Sequence, residues 1–130
     1  MNSPELDILI ISGGPLRAVQ SVVKNKTIQD WIIKHKSIEF ICSVCTGAMI
    51  LGETGLLNGK KVTIHHLALK MLQEKYTDIR VESDRKVIHD CNLITSDGVS
   101  SGINMALYLV EQTMGKSAAE RTAKTIEFVL

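Results

Sequence analysis

The chain has 130 residues, of which 45% are hydrophobic and 22% charged, with a formal net charge of +1. Single domains cluster at about 100–150 residues, so residues 1–130 are expected to form one domain with a core of its own. Balanced charge and only two prolines exclude disorder and a basic nucleic-acid footprint, and the uncharged run Phe40 to Gly52 falls short of the roughly 20 apolar residues of a membrane span.

In chain order, Leu6 to Ile11 is a short isoleucine-rich run closed by Ser12-Gly13-Gly14-Pro15, which predicts a buried strand and a tight turn. Thr27 is the expected cap of a helix that carries Ile28, Trp31 and Ile32 at helical spacing, with Asp30 three residues beyond the cap. Ile38 to Cys42 predicts a second strand. A helix is expected to start near Thr46 and to stop before Gly55. Asn58-Gly59 marks a turn, and Lys61 to His65 alternates as a third strand would. Ala68 to Tyr76 predicts a helix with Leu69, Met71 and Leu72 inward. Ile79–Val81 and Val87–His89 are expected to form a small ribbon around Ser83-Asp84-Arg85-Lys86. Leu93 to Ser96 is a further buried strand. A long helix follows, capped by Ser100 or Ser101, with Ile103, Ala106, Leu107, Val110 and Met114 on one stripe up to Gly115. Ser117 opens a last helix with Ala118, Ala119, Ala123 and Ile126 inward. Strands alternating with helices predict a doubly wound, mostly parallel α/β sheet with helices on both faces.

Three cysteines, Cys42, Cys45 and Cys91, form an odd set, and Met1 to Glu5 has neither a basic nor an apolar leader. Reduced thiols and a cytoplasmic location are the expectation. Ser43-Val44-Cys45-Thr46-Gly47 is the most informative stretch, because a buried strand runs straight into a small-residue turn and then a helix. That is the setting of a nucleophile elbow, with cysteine where hydrolases of this design carry serine. The helix start directs N–H groups and the positive dipole end at the sulfur, which favours a reactive thiol. The N–H of Thr46 is one expected oxyanion donor, and Gly13-Gly14, at the same sheet edge, offers another. His65 closes the third strand and should project at that edge too.

Taken in order, these motifs resemble the ThiJ/PfpI superfamily of class I glutamine-amidotransferase-like proteins. Asp7 to Gly14 is similar to the family strand that ends in Gly-Gly. Ser43 to Ala48, with Leu51-Gly52-Glu53-Thr54-Gly55-Leu56-Leu57-Asn58-Gly59, is similar to its cysteine elbow and following helix. Val62-Thr63-Ile64-His65 and Ile94 to Ile103 match two further segments. The Cys-Thr-Gly form looks closest to the isonitrile-hydratase-like branch, which also includes ligand-sensing domains of AraC-type regulators.

The resemblance implies a flavodoxin-like fold that lacks the first strand–helix–strand unit. Cys45 would be the nucleophile, with Thr46 and His65 as its catalytic partners. Gly13, Gly14, Thr46 and His66 would contact the oxyanion or substrate. The acidic partner of the cysteine belongs to the missing unit, Ser12 replaces the usual proline, and Asn104 replaces the usual aspartate.

Two other readings use the same residues. Cys42-Ser43-Val44-Cys45 is a C-x-x-C pair, but Cys42 lies inside the strand run and should point away from the elbow. Cys42, Cys45, His65, His66, His89 and Cys91 could supply zinc ligands, yet two of them sit in expected strand cores rather than in loop knuckles. Gly13-Gly14 lacks the Gly-Lys-Ser/Thr of a phosphate loop. The expected function is a cysteine-dependent hydratase or hydrolase-like activity on a small electrophile such as an isonitrile. The alternative is a non-catalytic ligand or redox sensor that uses the same cysteine. No cofactor or metal is expected. The expected partners are a small-molecule substrate and a second copy, as a dimer over the open edge of the first strand, with no nucleic acid and no membrane.

Overall fold

In a computed structural model the chain is described over residues 5–130. The elements in order are β1 (Ile8–Ile11), α1 (Leu16–Val23), α2 (Lys26–Lys34), β2 (Phe40–Val44), α3 (Ala48–Thr54), β3 (Lys61–Val62) and α4 (Leu69–Lys75). They continue with β4 (Arg80–Val81), β5 (Val87–Asp90), β6 (Leu93–Ser96), α5 (Ser101–Met114) and α6 (Lys116–Thr125). Short 3₁₀ turns, Cys45–Gly47 and His66–Ala68, lead into α3 and α4.

The main sheet has the order β1-β2-β6-β5, with β1, β2 and β6 parallel and β5 antiparallel to β6. Side chains alternate across a strand, and the sequence of β2 uses both faces. Ile41 joins Leu9, Ile11 and Leu93 in a core that α1 to α4 cover, with Val19, Ile32, Leu51 and Leu72 among its buried members. Cys42 and Ile94 lie on the other face against Met105 and Leu109 of α5, and α6 packs on α5. This is the doubly wound, mostly parallel α/β arrangement that the alternation of elements predicts.

Several local expectations are corrected. No helix is expected between Pro15 and Thr27, yet α1 fills that interval and buries Val19 and Val23. Pro15 begins it without a side-chain cap, so the usual polar start signal is missing. Asn25, not Thr27, caps α2: its side-chain oxygen accepts from Ile28 N at 3.1 Å. The third strand stops at Val62, well short of His65, and β3 pairs in parallel with β4 in a small separate sheet. Ile79–Val81 and Val87–His89 therefore do not form a ribbon. β4 takes β3 as its partner and β5 takes β6, because long-range pairing outweighs the short polar loop between them.

In α5 the buried side chains are Ser101, Met105, Leu107 and Leu109, while Ile103 and Met114 are 43% and 73% exposed. The stripe that faces the sheet is thus offset from the one expected. α6 begins at Lys116 and buries Ala118, Ala119 and Ala123, but Ile126 lies past its end and is exposed. In α4 Leu72 is buried, whereas Met71 is turned out of the core. Ile10, opposite Cys42 on the edge strand, is exposed as well. Among the described residues no helix is long and apolar enough to cross a membrane.

The cap of α2 gives a direct check. Asn25→Ala should cost about 1 kcal/mol in urea unfolding, whereas Thr27→Ala should cost less than about 0.5 kcal/mol. Equal losses would return the cap to Thr27.

Candidate active site around Cys45

Cys45 sits where the central strand β2 ends, with φ of 57°. A residue other than glycine in this left-handed region is held there by its surroundings, at a cost of about 1–3 kcal/mol. The surroundings here are the turn after β1. Gly14 N donates to Thr46 Oγ1 at 3.1 Å, and Thr46 Oγ1 donates to the Gly14 carbonyl at 3.0 Å. The two backbones can approach this closely only because Gly13 and Gly47 lack side chains. A Cβ on Gly13 would run into Thr46 Oγ1 and would stand 2.7 Å from Thr46 N. One on Gly47 would run into the Ile11 carbonyl oxygen.

The Thr46 N–H belongs to the first turn after the strand, where an N–H has no carbonyl of its own helix to bond. The bare Cα of Gly13 keeps the space beside that nitrogen clear of a side chain. The N–H of Gly14, the second expected oxyanion donor, is instead engaged by the Thr46 hydroxyl.

His65 reaches the site without being part of a strand. Thr63 N donates to the buried Thr95 Oγ1 at 2.9 Å, which ties the segment after β3 to β6. His65 N then donates to the Cys45 carbonyl at 3.4 Å. The imidazole orientation is set two residues further on, where Leu67 N donates to His65 Nδ1 at 3.2 Å. With Nδ1 accepting, a neutral imidazole carries its proton on Nε2, so that nitrogen is a donor. His66 stacks on His65 with ring centroids 4.4 Å apart and is exposed.

Gly14, Leu16, Cys45, Thr46, His65, Leu67, Ala68 and Met71 line a cleft of about 340 Å³. Cys45, Thr46, Gly14 and His65 of the expected set thus come together in it, whereas Gly13 and His66 are not among its lining residues. Leu16, Leu67, Ala68 and Met71 are additional. Their signal in the sequence is faint: Leu67 stands two residues after His65, and Met71 one helical turn beyond that. No carboxylate is among the lining residues.

The other cysteines have different surroundings. Cys42 is fully buried on the α5 face, and desolvation pushes its thiol up to about 12. Cys91 is exposed in the turn between β5 and β6, where Lys60 Nζ donates to its sulfur at 3.4 Å. That turn lies at the opposite edge of the sheet from Cys45, because β2 and β6 run parallel. His89 is occupied by the Tyr108 hydroxyl at 2.6 Å. Among the described residues no three His, Cys, Asp or Glu side chains are grouped to hold a metal ion.

The sequence profile of the DJ-1/PfpI family matches residues 1–112. The chain belongs to the DJ-1/PfpI family. Among its relatives, the isonitrile hydratase of Pseudomonas putida is 30% identical over 126 residues, covering 96% of this chain and 53% of that protein. The HTH-type transcriptional regulator CdhR of Pseudomonas aeruginosa is 32% identical, covering 95% of this chain and 35% of the regulator. Of the solved structures, a ThiJ/PfpI family protein from Pseudomonas syringae superposes with a TM-score of 0.87 at 27% identity, over 97% of this chain and 51% of that one. Drosophila melanogaster DJ-1beta superposes with a TM-score of 0.84 at 23% identity, over 97% of this chain and 66% of that one, a likeness of fold. The chain spans about half the length of the isonitrile hydratase and half that of the Pseudomonas syringae protein.

The left-handed backbone at Cys45 predicts an inverted order of stability for two substitutions. Cys45→Gly should be more stable than Cys45→Ala by about 1 kcal/mol in urea unfolding, although glycine ordinarily costs more entropy. The reverse order would show that the position is unstrained.

Cys42 yields a pH prediction. Its pKa is raised to about 12 in the folded chain, so its contribution is intact below the ordinary thiol value near 9 and is lost as pH climbs from 9 toward 12. Stability should therefore fall over that interval, with a shallower slope in Cys42→Ala. Identical slopes would contradict the burial argument.

Proposed function

We propose that the chain carries a cysteine-dependent hydratase site for a small electrophile, with an isonitrile as the first compound to test. The observation that carries this reading is the strained Cys45 at the end of the central strand, facing a cleft shared with Thr46 and His65. The similarity to an isonitrile hydratase supports the choice of substrate.

The chemistry follows from the groups in the cleft. The Cys45 sulfur bonds to the terminal carbon of the isonitrile, and the thiol proton passes to that same carbon, giving an S-linked formimidate. Water then adds across the carbon–nitrogen double bond: its oxygen bonds to carbon, and a proton goes to nitrogen. Loss of the sulfur from this tetrahedral carbon releases an N-substituted formamide, and the remaining hydroxyl proton returns to sulfur. One water is consumed and no redox change occurs. Thr46 N–H and the Nε2–H of His65 are the donors available to the charge that develops on oxygen. His65 acts here as a hydrogen-bond donor rather than a proton shuttle, because its other nitrogen is committed to Leu67 N.

The absence of a carboxylate among the cleft-lining residues favours a second reading, in which the same thiol binds or senses an electrophile without turning it over. The similarity to the regulator CdhR is in keeping with it.

Proton NMR of the chain with a small alkyl isonitrile separates the two. Under the hydratase reading the formamide proton accumulates beyond one equivalent. Cys45→Ala should abolish this, and His65→Leu should lower the rate about 10–100-fold through the lost hydrogen bond to a charged centre. A stoichiometric adduct on Cys45 with no formamide would assign the sensor role. Turnover that survives Cys45→Ala would remove both.

A further inference from the structure

The cleft is divided by chemistry. Its reactive end holds Cys45, Thr46 and His65, whereas Leu16 of α1, Leu67 and Ala68 of the second 3₁₀ turn and Met71 of α4 make the rest. No Lys, Arg, Asp or Glu side chain lines it. The nearest charges of α4, Lys70, Glu74 and Lys75, border a separate surface hollow on the outer side of Leu67 and Met71. Lys70 and Glu74 face each other there at 3.8 Å.

Three of the apolar residues are exposed: Leu16 by 38%, Met71 by 37% and Leu67 by 80%. A leucine so open to water gains nothing for folding. Its place is nevertheless fixed, because its own N–H is bonded to His65 Nδ1. That bond ties the backbone at 67 to the imidazole, and Leu67 and Met71 line the same cleft as His65 and Cys45.

We propose that Leu16, Leu67, Ala68 and Met71 form an apolar arm that selects an uncharged electrophile bearing one compact alkyl or ring substituent. The reactive carbon lies at Cys45 and the substituent covers the apolar wall. This rests on the reading of Cys45 as a nucleophile and adds to it the substrate class. An anionic or cationic substituent would meet no opposite charge among the lining residues and would lose part of its hydration against the wall. An apolar one would remove three exposed hydrophobic side chains from water as it binds. Methionine, unbranched and adaptable, suits a wall that meets substituents of varied shape.

The test reads a ratio and does not require turnover. In a Cys91→Ser background, which removes the exposed competing thiol, Cys45 is labelled with N-cyclohexylmaleimide and with 3-maleimidopropionic acid. Each rate is divided by that of the same probe with N-acetylcysteine. The expected preference for the cyclohexyl probe is about tenfold or more, the scale of a few apolar groups in a pocket. It should shrink towards unity in Leu67→Ser/Met71→Ser. Leu67→Lys, which places a cation at the mouth, should raise the rate of the carboxylate probe while circular dichroism stays unchanged. Equal normalised rates for both probes, or a preference that survives the double substitution, would overturn the apolar arm. Absence of formamide from an isonitrile would instead count against the hydratase reading alone, since the labelling ratio does not depend on it.

Discussion

The crossing of two backbones at Gly14 and Thr46 is the constraint on which the site depends. A single hydroxyl accepts from the Gly14 N–H and donates to the Gly14 carbonyl, so both polar groups of that peptide position are satisfied in one exchange. The contact also fixes the spacing of the turns that end β1 and β2, because neither Gly13 nor Gly47 has room for a Cβ. Cys45 stands immediately before this crossing. Its left-handed backbone is therefore a consequence of where its neighbours must be, and the strain is offset by β2 being paired on both edges. A side chain held in this way is positioned by main chain, which varies less than a side chain on a loop.

The same logic explains which parts of the fold are legible in the sequence. β1, β2, β6 and the elbow are short apolar runs that end in small residues, a signal contained within a few positions, and all of them occur close to where it places them. The family resemblance rests on those junctions and extends along the chain. By contrast, α1 starts on Pro15 with no polar cap, so nothing local announces it. β4 carries no mark of its partner: its two residues pair with Lys61–Val62 across almost twenty positions instead of with the nearer β5. The offset in α5 arises because its apolar residues outnumber what one face can bury. Met105 and Leu109 meet Cys42 and Ile94, and Ile103 is left outside.

His65 shows how a site residue can be placed well by pattern and yet for a different physical reason. The alternation of Lys61 to His65 puts it at the end of a strand, but the strand stops at Val62. Two bonds carry the chain the rest of the way, Thr63 N to Thr95 Oγ1 and His65 N to the Cys45 carbonyl. The ring is then oriented from downstream by Leu67. One hydrogen bond thus sets the imidazole tautomer and ties the ring to the backbone of Leu67, the most exposed side chain of the cleft. Leu67 and Met71 are hard to recognise in advance for the same reason. Met71 at helical spacing looks like a core residue and Leu67 lies in the turn before the expected helix, and only the tertiary placement of that turn and of α4 brings both to the cleft.

The two thiols of Cys42 and Cys45 separate chemistry from composition. They are three residues apart, and in an uninterrupted strand that odd spacing would put them on opposite faces, both covered. Cys42 follows this rule: it lies under α5, dry, with its thiol pushed up to about 12. Position 45, had β2 continued, would have shared the face of Ile41 and Ser43 beneath the α1–α4 layer, where β2 is closed to water. The left-handed step at Cys45 ends the strand one residue before that happens and turns the side chain into the cleft instead. What distinguishes a core cysteine from a candidate nucleophile here is the point at which a strand stops, and that point lies where Gly13 and Gly47 let the turns after β1 and β2 close on each other.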